Sequence, residues 1–232
     1  MESRPPRPRL SPLTYVLLVA TFMAIHLALR LGPWGFDDVR GYLANPARLV
    51  SLLFELAVTL IAPFFMPRRG LSKGRADRLI RERLPLAGLA LLMFLPFVVA
   101  PWCDRRHVLT LSGEAWRYAG VALEAFGCWL SVWPPYHMGR NFSGYVTLQE
   151  GHQLVTDGPF AWVRHPRYLG IISQSLGYSL VHLAGLGMLA TALLAAALVV
   201  RLQLEDRLLH AEFGRQWEDY ARRTPRLLPG IW

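Results

Sequence analysis

Arg201 and Glu205 stand four residues apart in VVRLQLEDRLLHAEFG, with Asp206 next in line. A helix carries such a pair on one face. A cation there can bind an anionic substrate group, and a carboxylate can accept hydrogen bonds from hydroxyls or an amine. Alone, the spacing is that of a surface pair worth a few tenths of a kcal/mol. A second constellation changes the weighing. In WVRHPRYLG, Pro166 biases His165 away from helical geometry and itself suits the first turn of a helix. His165 is then expected at a helix mouth whose free amides favour an anionic group. The plainer alternative is a basic anchor, because Arg and His at helix ends snorkel to the interface. What joins the two sites is Tyr168–Val200, an apolar stretch broken near Leu183–Gly187. It is too long for one crossing of a bilayer core that takes about 20 residues, so it reads as a tight hairpin of two spans. The chain goes out and returns, which brings Arg201 to the side of His165.

The remaining elements are read in the same way. Apolar windows cover Leu13–Leu29, Leu49–Met66, Leu84–Pro101 and Ala115–Trp133. With the hairpin they predict an all-α, polytopic integral membrane protein of about six transmembrane helices. The expected layout is a basic tail over 1–12, a four-helix membrane region over 13–136 and a C-terminal catalytic region over 137–232. Arg4, Arg7 and Arg9 precede the first span, and PRRGLSKGRADRLIRER follows the second. The alternate segments, Leu31–Arg48 and Trp102–Glu114, read as loops that mix Arg with Asp37, Asp38 and Asp104. That asymmetry predicts cytoplasmic termini, with the active site on the same face. The N-terminus resembles a secretory signal, but the long apolar run without an A-x-A site reads as an uncleaved first span.

Composition agrees. Of 232 residues, 53% are hydrophobic and 18% charged, which excludes disorder and leaves little polar surface. The formal charge of +9 lies at the ends of apolar stretches, where it suits anionic headgroups; no nucleic-acid motif accompanies it. Cys103 and Cys128 read as small core residues, and Glu55 and Glu124 as interior polar or helix-end groups. The histidines show no ligand spacing, so no metal is expected. No obligate protein partner is evident.

The runs HQLVTDGPFAWVRHPRYLG, RLQLEDRLLHAEFGRQWEDYARRTP and LLPGIW, with the hairpin between the first two, resemble the isoprenylcysteine carboxyl methyltransferase family, within a wider group that includes phospholipid and small-thiol methylators. The resemblance covers roughly Gly139–Pro229. It implies an S-adenosyl-L-methionine site, in which His152, Gln153, Leu154 and Val155 line the cofactor cleft. His165, Pro166, Arg167 and Tyr168 match the family's cofactor-binding H-P-x-Y, with Arg167 bulkier than the usual residue. Glu205 matches a cofactor-binding acid and Arg201 a substrate-binding position; these two are the catalytic candidates. Phe160 stands where the family often has Tyr, which forfeits a hydroxyl. Asp206 stands where a second Glu is common. Phe213, Trp217 and Tyr220, at helical spacing, are expected to cap the cofactor or to anchor the tail at the interface.

Three readings follow. A methyltransferase acting on a lipophilic or lipid substrate from the bilayer, of the protein-S-isoprenylcysteine O-methyltransferase kind, would bind S-adenosylmethionine; phospholipid N-methylation and small-thiol S-methylation are its variants. A membrane reductase of the sterol-reductase kind would bind NADPH instead, although such chains are usually longer. A channel, transporter or scaffold would tolerate loss of His165 and Glu205. A carboxylate nucleophile needs no base, whereas an amine or thiol must shed a proton. Tyr145, His165 and Glu205 are the candidate acceptors, with no base role assigned.

Overall fold

The computed structural model describes residues 12–61, 83–143, 145–148 and 151–228. The basic run between the second and third expected spans, the N-terminal arginines and the last four residues lie outside them. The described residues are all-α, with one isolated bridge between Thr110 and Ala184.

Six long helices run across the molecule: α1 (Pro12–Trp34), α3 (Pro46–Ile61), α4 (Arg83–Arg106), α5 (Ala115–Met138), α6 (Pro166–Val181) and α7 (Gly185–Phe213). Two short ones, α2 (Val39–Ala44) and α8 (Arg215–Arg223), lie at opposite ends. By length and composition, Gly88–Arg106 and Gly185–Phe213 suffice to cross a membrane, and Phe36–Ala44 with Pro46–Ile61, bent by 106°, makes a third candidate among the described residues. The hairpin expected from the long apolar stretch is present. His182–Ala184 separates α6 from α7, with Leu183 in the left-handed region at φ 49°. The turn is pinned from outside: Leu111 N donates to Leu183 O and Gly185 N to Leu109 O.

The segment 31–48, expected to be a loop, is more ordered than that. It holds a 3-10 turn at Phe36–Asp38 and α2, whose start is capped by Asp38 accepting from Gly41 N. Asn45 then caps α3, accepting from the amides of Ala47 and Arg48, with Pro46 in the first turn. Both expected interior acids are interior. Glu124 accepts from Arg30 at 3.0 Å and from Ser51 at 2.6 Å, and Glu55 accepts from Gln174 at 2.8 Å. Near the end opposite the cleft described below, Asp104 accepts from both Arg48 and Arg117, joining α3, α4 and α5. Cys103 and Cys128 are both buried free thiols.

The tightest packing is between α5 and α6, which run antiparallel. Gly120 and Gly127 of α5 face Gly177 and Gly170 of α6, so backbone meets backbone. A Cβ on Gly120 would stand 2.6 Å from Gly177 O, and one on Gly170 2.6 Å from Ser131 N. Small residues at such a seam let helices approach in a medium with no hydrophobic drive between them. This pair is the rigid floor on which the site is built.

Candidate active site

At one end of the bundle α5 stops, α6 starts and α7 leaves, and the three enclose a cleft with about 910 Å³ of empty space, its open mouth included. Its lower wall is Pro134, Pro135 and Met138 of α5; the rest comes from 141–167 and from α6, α7 and α8.

His165 sits just before α6, whose first residue is Pro166. It is buried, and its position is fixed at both backbone and ring. Its amide donates to Arg226 O at 3.0 Å, and the Arg164 amide donates to Pro225 O at 2.8 Å, so the C-terminal strand of chain is strapped to the cleft. The ring lies stacked on Tyr168, 13° from parallel. Nε2 donates to Asp206 at 2.7 Å, while Nδ1 stands 3.5 Å from Glu205. Burial disfavours charge on this imidazole, but the two carboxylates outweigh burial and raise its pKa above the ordinary His value.

Neighbouring positions on α7 are about 100° apart, so Glu205 and Asp206 reach different surroundings. Asp206 is buried and turned to the strap: it also accepts from Arg164 at 3.2 Å and from Arg226 at 3.0 Å. Glu205 keeps 32% of its side chain exposed and lines the cleft. One turn earlier Arg201 donates to Tyr168 Oη at 3.0 Å, and Tyr168 is stacked on the His165 ring that faces Glu205. Arg201, Tyr168, Glu205 and His165 thus form one connected chain of polar groups along the cleft.

Other residues expected at the site can be placed as well. Leu154, Val155, Phe160, Pro166 and Arg167 line the cleft, Arg167 with its guanidinium 5.0 Å from the Phe142 ring centroid. His152 also lines it, packed 5.9 Å from Phe213; burial lowers its pKa, and Nδ1 is buried with no hydrogen-bond partner among the described residues. Gln153 is exposed and contributes nothing to the lining. Trp217 and Tyr220 of α8 close the cleft from outside, and Tyr220 Oη donates to Phe160 O at 2.8 Å. Phe160 has no hydroxyl, yet its backbone is held by one.

Two features escaped the reading of the chain. Asn141 lines the cleft with Oδ1 buried and unpartnered among the described residues. Nothing in GRNFSG singles it out beyond turn-forming residues. Pro134 and Pro135, the floor, looked only like the end of a span.

A group whose folded pKa is raised adds stability that is full below its unfolded pKa and is lost as pH rises through the folded value. His165 is such a group. Thermal stability is therefore expected to fall as pH climbs above the ordinary His value. In His165→Gln that part of the pH slope should disappear. Parallel slopes in wild type and variant would refute the charged imidazole.

A model of the isoprenylcysteine carboxyl methyltransferase (ICMT) family matches residues 120–211, which bears out the resemblance to that family. Protein-S-isoprenylcysteine O-methyltransferase B of Arabidopsis thaliana is 32% identical over 96 residues, 40% of this chain and 49% of that one. The Rattus norvegicus protein-S-isoprenylcysteine O-methyltransferase is 31% identical over 140 residues, 56% and 45% respectively. The nickel-cobalt-cadmium resistance protein NccN of Alcaligenes xylosoxydans xylosoxydans is 36% identical over 91 residues, 38% and 41%. The chain thus spans about half the length of these relatives. The solved structure of a eukaryotic intramembrane Ras methyltransferase, ICMT, superposes with TM-score 0.53 at 22% identity, over 94% of this chain and 77% of that one, which establishes a shared fold.

Proposed function

With residues 120–211 carrying the isoprenylcysteine carboxyl methyltransferase pattern on an ICMT fold, we propose that this integral membrane protein is an S-adenosylmethionine-dependent methyltransferase acting on a lipophilic acceptor, with a prenylated cysteine carboxylate as the first candidate. The observation that carries the reading is the linked set Arg201, Tyr168, Glu205 and His165 on the wall of a cleft at one end of the bundle.

The residues present suit the cofactor. Glu205 offers a partly open carboxylate for an ammonium or ribose hydroxyls, and Asn141 Oδ1 is a buried acceptor lacking a donor among the described residues. Phe160, Leu154 and Trp217 supply apolar and aromatic surface for a purine. When bound, the cofactor supplies a methyl group activated on a sulfonium. The chain's own task is alignment and exclusion of water, the main levers on such a displacement. Arg201, its guanidinium set by the Tyr168 hydroxyl, would hold a carboxylate acceptor, while α8 and the strap close the cleft from outside. A carboxylate needs no base, and His165, already engaged with two carboxylates, is a positioning residue for Glu205.

We further propose six crossings, with the cleft in the cytoplasm. α3 ends and α4 begins at the cleft end, and the sequence between them is rich in Lys and Arg, as suits a cytoplasmic face. Exposed aromatics flank α5: Trp116 and Tyr118 at its start, Trp129 and Tyr136 toward its end, joined there by Trp162 of the loop. Such belts suit the two interfaces.

Calorimetry on detergent-purified protein tests the proposal. Saturable S-adenosylmethionine binding is expected, followed by methyl transfer to S-farnesylcysteine. Transfer only to phosphatidylethanolamine or to a thiol would move the acceptor class; NADPH binding without S-adenosylmethionine binding would overturn the reading. Arg201→Gln should weaken acceptor binding, raising KM about tenfold or more, with cofactor affinity little changed. Equal losses of both would remove Arg201 from the acceptor's side.

A further inference from the structure

Behind the strap lies a second, open groove with about 1000 Å³ of empty space, open solvent included, lined by Arg164, Asp206, Arg207, His210, Trp217, Glu218, Arg222 and Arg226 among others. Four guanidiniums face two carboxylates. Asp206 is already shared by His165, Arg164 and Arg226, three donors for one charge, and Glu218 is paired with His210 at 2.9 Å. Arg222 pairs with Asp219, but Arg207, exposed one position beyond Asp206, has no ion-pair partner among the described residues. The surplus is positive and it is concave.

The groove is walled by the end of α7 and by α8, where the chain leaves the membrane-crossing bundle, and Arg164 and Trp217 belong to both groove and cleft. Arginine forks match the geometry of phosphate oxygens, several donors to one tetrahedral anion. We infer that this groove is an anion site for a phosphate ester, either the headgroup of an anionic lipid or a soluble phosphate. Arg207 and Arg222 contribute the exposed donors, while Arg164 and Arg226, oriented by Asp206, form the inner wall. Occupancy would brace the shared wall formed by Arg164 and Trp217. The site is independent of the methyl-transfer proposal and can fail without it.

The test uses the full chain with Arg207→Gln/Arg222→Gln, and Arg40→Gln/Arg106→Gln as a charge-matched control at the far end. In neutral detergent, inorganic phosphate is titrated against chloride at equal ionic strength with thermal stability as readout. In parallel, the protein in nanodiscs of phosphatidylcholine is compared with discs containing phosphatidylglycerol. Saturable stabilisation by phosphate, weakened about tenfold or more in the groove variant alone, identifies a soluble ligand. Stabilisation only by phosphatidylglycerol, lost in the same variant, identifies a lipid headgroup. No stabilisation of wild type by either, or equal weakening in the control, would overturn the proposal.

Discussion

Gly127→Leu is expected to leave no monodisperse protein after extraction. A Cβ at Gly127 would meet the backbone of α6, 2.6 Å from Gly170 O, and no rotamer change moves a main-chain atom aside. The only relief is to push α5 and α6 apart. That shift would break the facing contacts at Gly120, Gly170 and Gly177 and would open the floor of the cleft at Pro134 and Pro135. Overpacking in a core costs about 1–3 kcal/mol when side chains can yield; here they cannot, so the cost should exceed 4 kcal/mol, on the order of the most damaging single changes. Gly88→Leu is the control, since nothing lies within 4 Å of a Cβ at that position of α4. Size exclusion and thermal unfolding in detergent separate the two. A Gly127→Leu protein that melts like wild type would show that the helices are not held at the separation described.

The second large effect divides two adjacent acids. Glu205→Gln keeps shape but removes the charge offered to the cleft. S-adenosylmethionine affinity should drop by about tenfold to a hundredfold, the range for a hydrogen bond to a charged group, with little change in melting temperature because the side chain is partly open. Asp206→Ala should do the reverse. It strands the buried His165 with the half-buried Arg164 and Arg226, and it removes the side-chain anchor of Arg226 at the cleft edge. Removing one partner from a buried charged cluster costs about 3–5 kcal/mol. Calorimetry and thermal unfolding on both variants check the split. If Glu205→Gln binds the cofactor as wild type does, the cofactor assignment of the cleft fails; if Asp206→Ala keeps its stability, the strap is not what holds the site.

The helices were legible because hydropathy is a local property. Runs of Leu, Val and Ala announce crossings, and the Leu183–Gly187 break announces the hairpin that returns Glu205 to His165. The polar half of the site was legible through spacing and through the family resemblance together; neither the R-x-x-x-E step nor a lone H-P pair would have sufficed. What stayed hidden depends on partners far apart in sequence. The bend into α2 is held by Arg48 and Arg105, which reach Asp104 and Asp37 across the bundle. Asp206 looked like a shortened Glu; its part in fastening the tail depends on Arg226, which only the fold brings near. Asn141 announces itself only by what it lacks.

The Arg30–Glu124 pair sets a timetable for biogenesis. The partners are separated by 94 positions, and both are buried. At about 5–20 residues per second of synthesis, the arginine of the first helix waits about 5–20 s before its acid is even made. During that interval α1 must lean toward the membrane edge, draw in water or stay beside the insertion machinery. α1 therefore cannot take its final place until α5, the fourth of the long helices, has followed it, and the bundle has to close as a set.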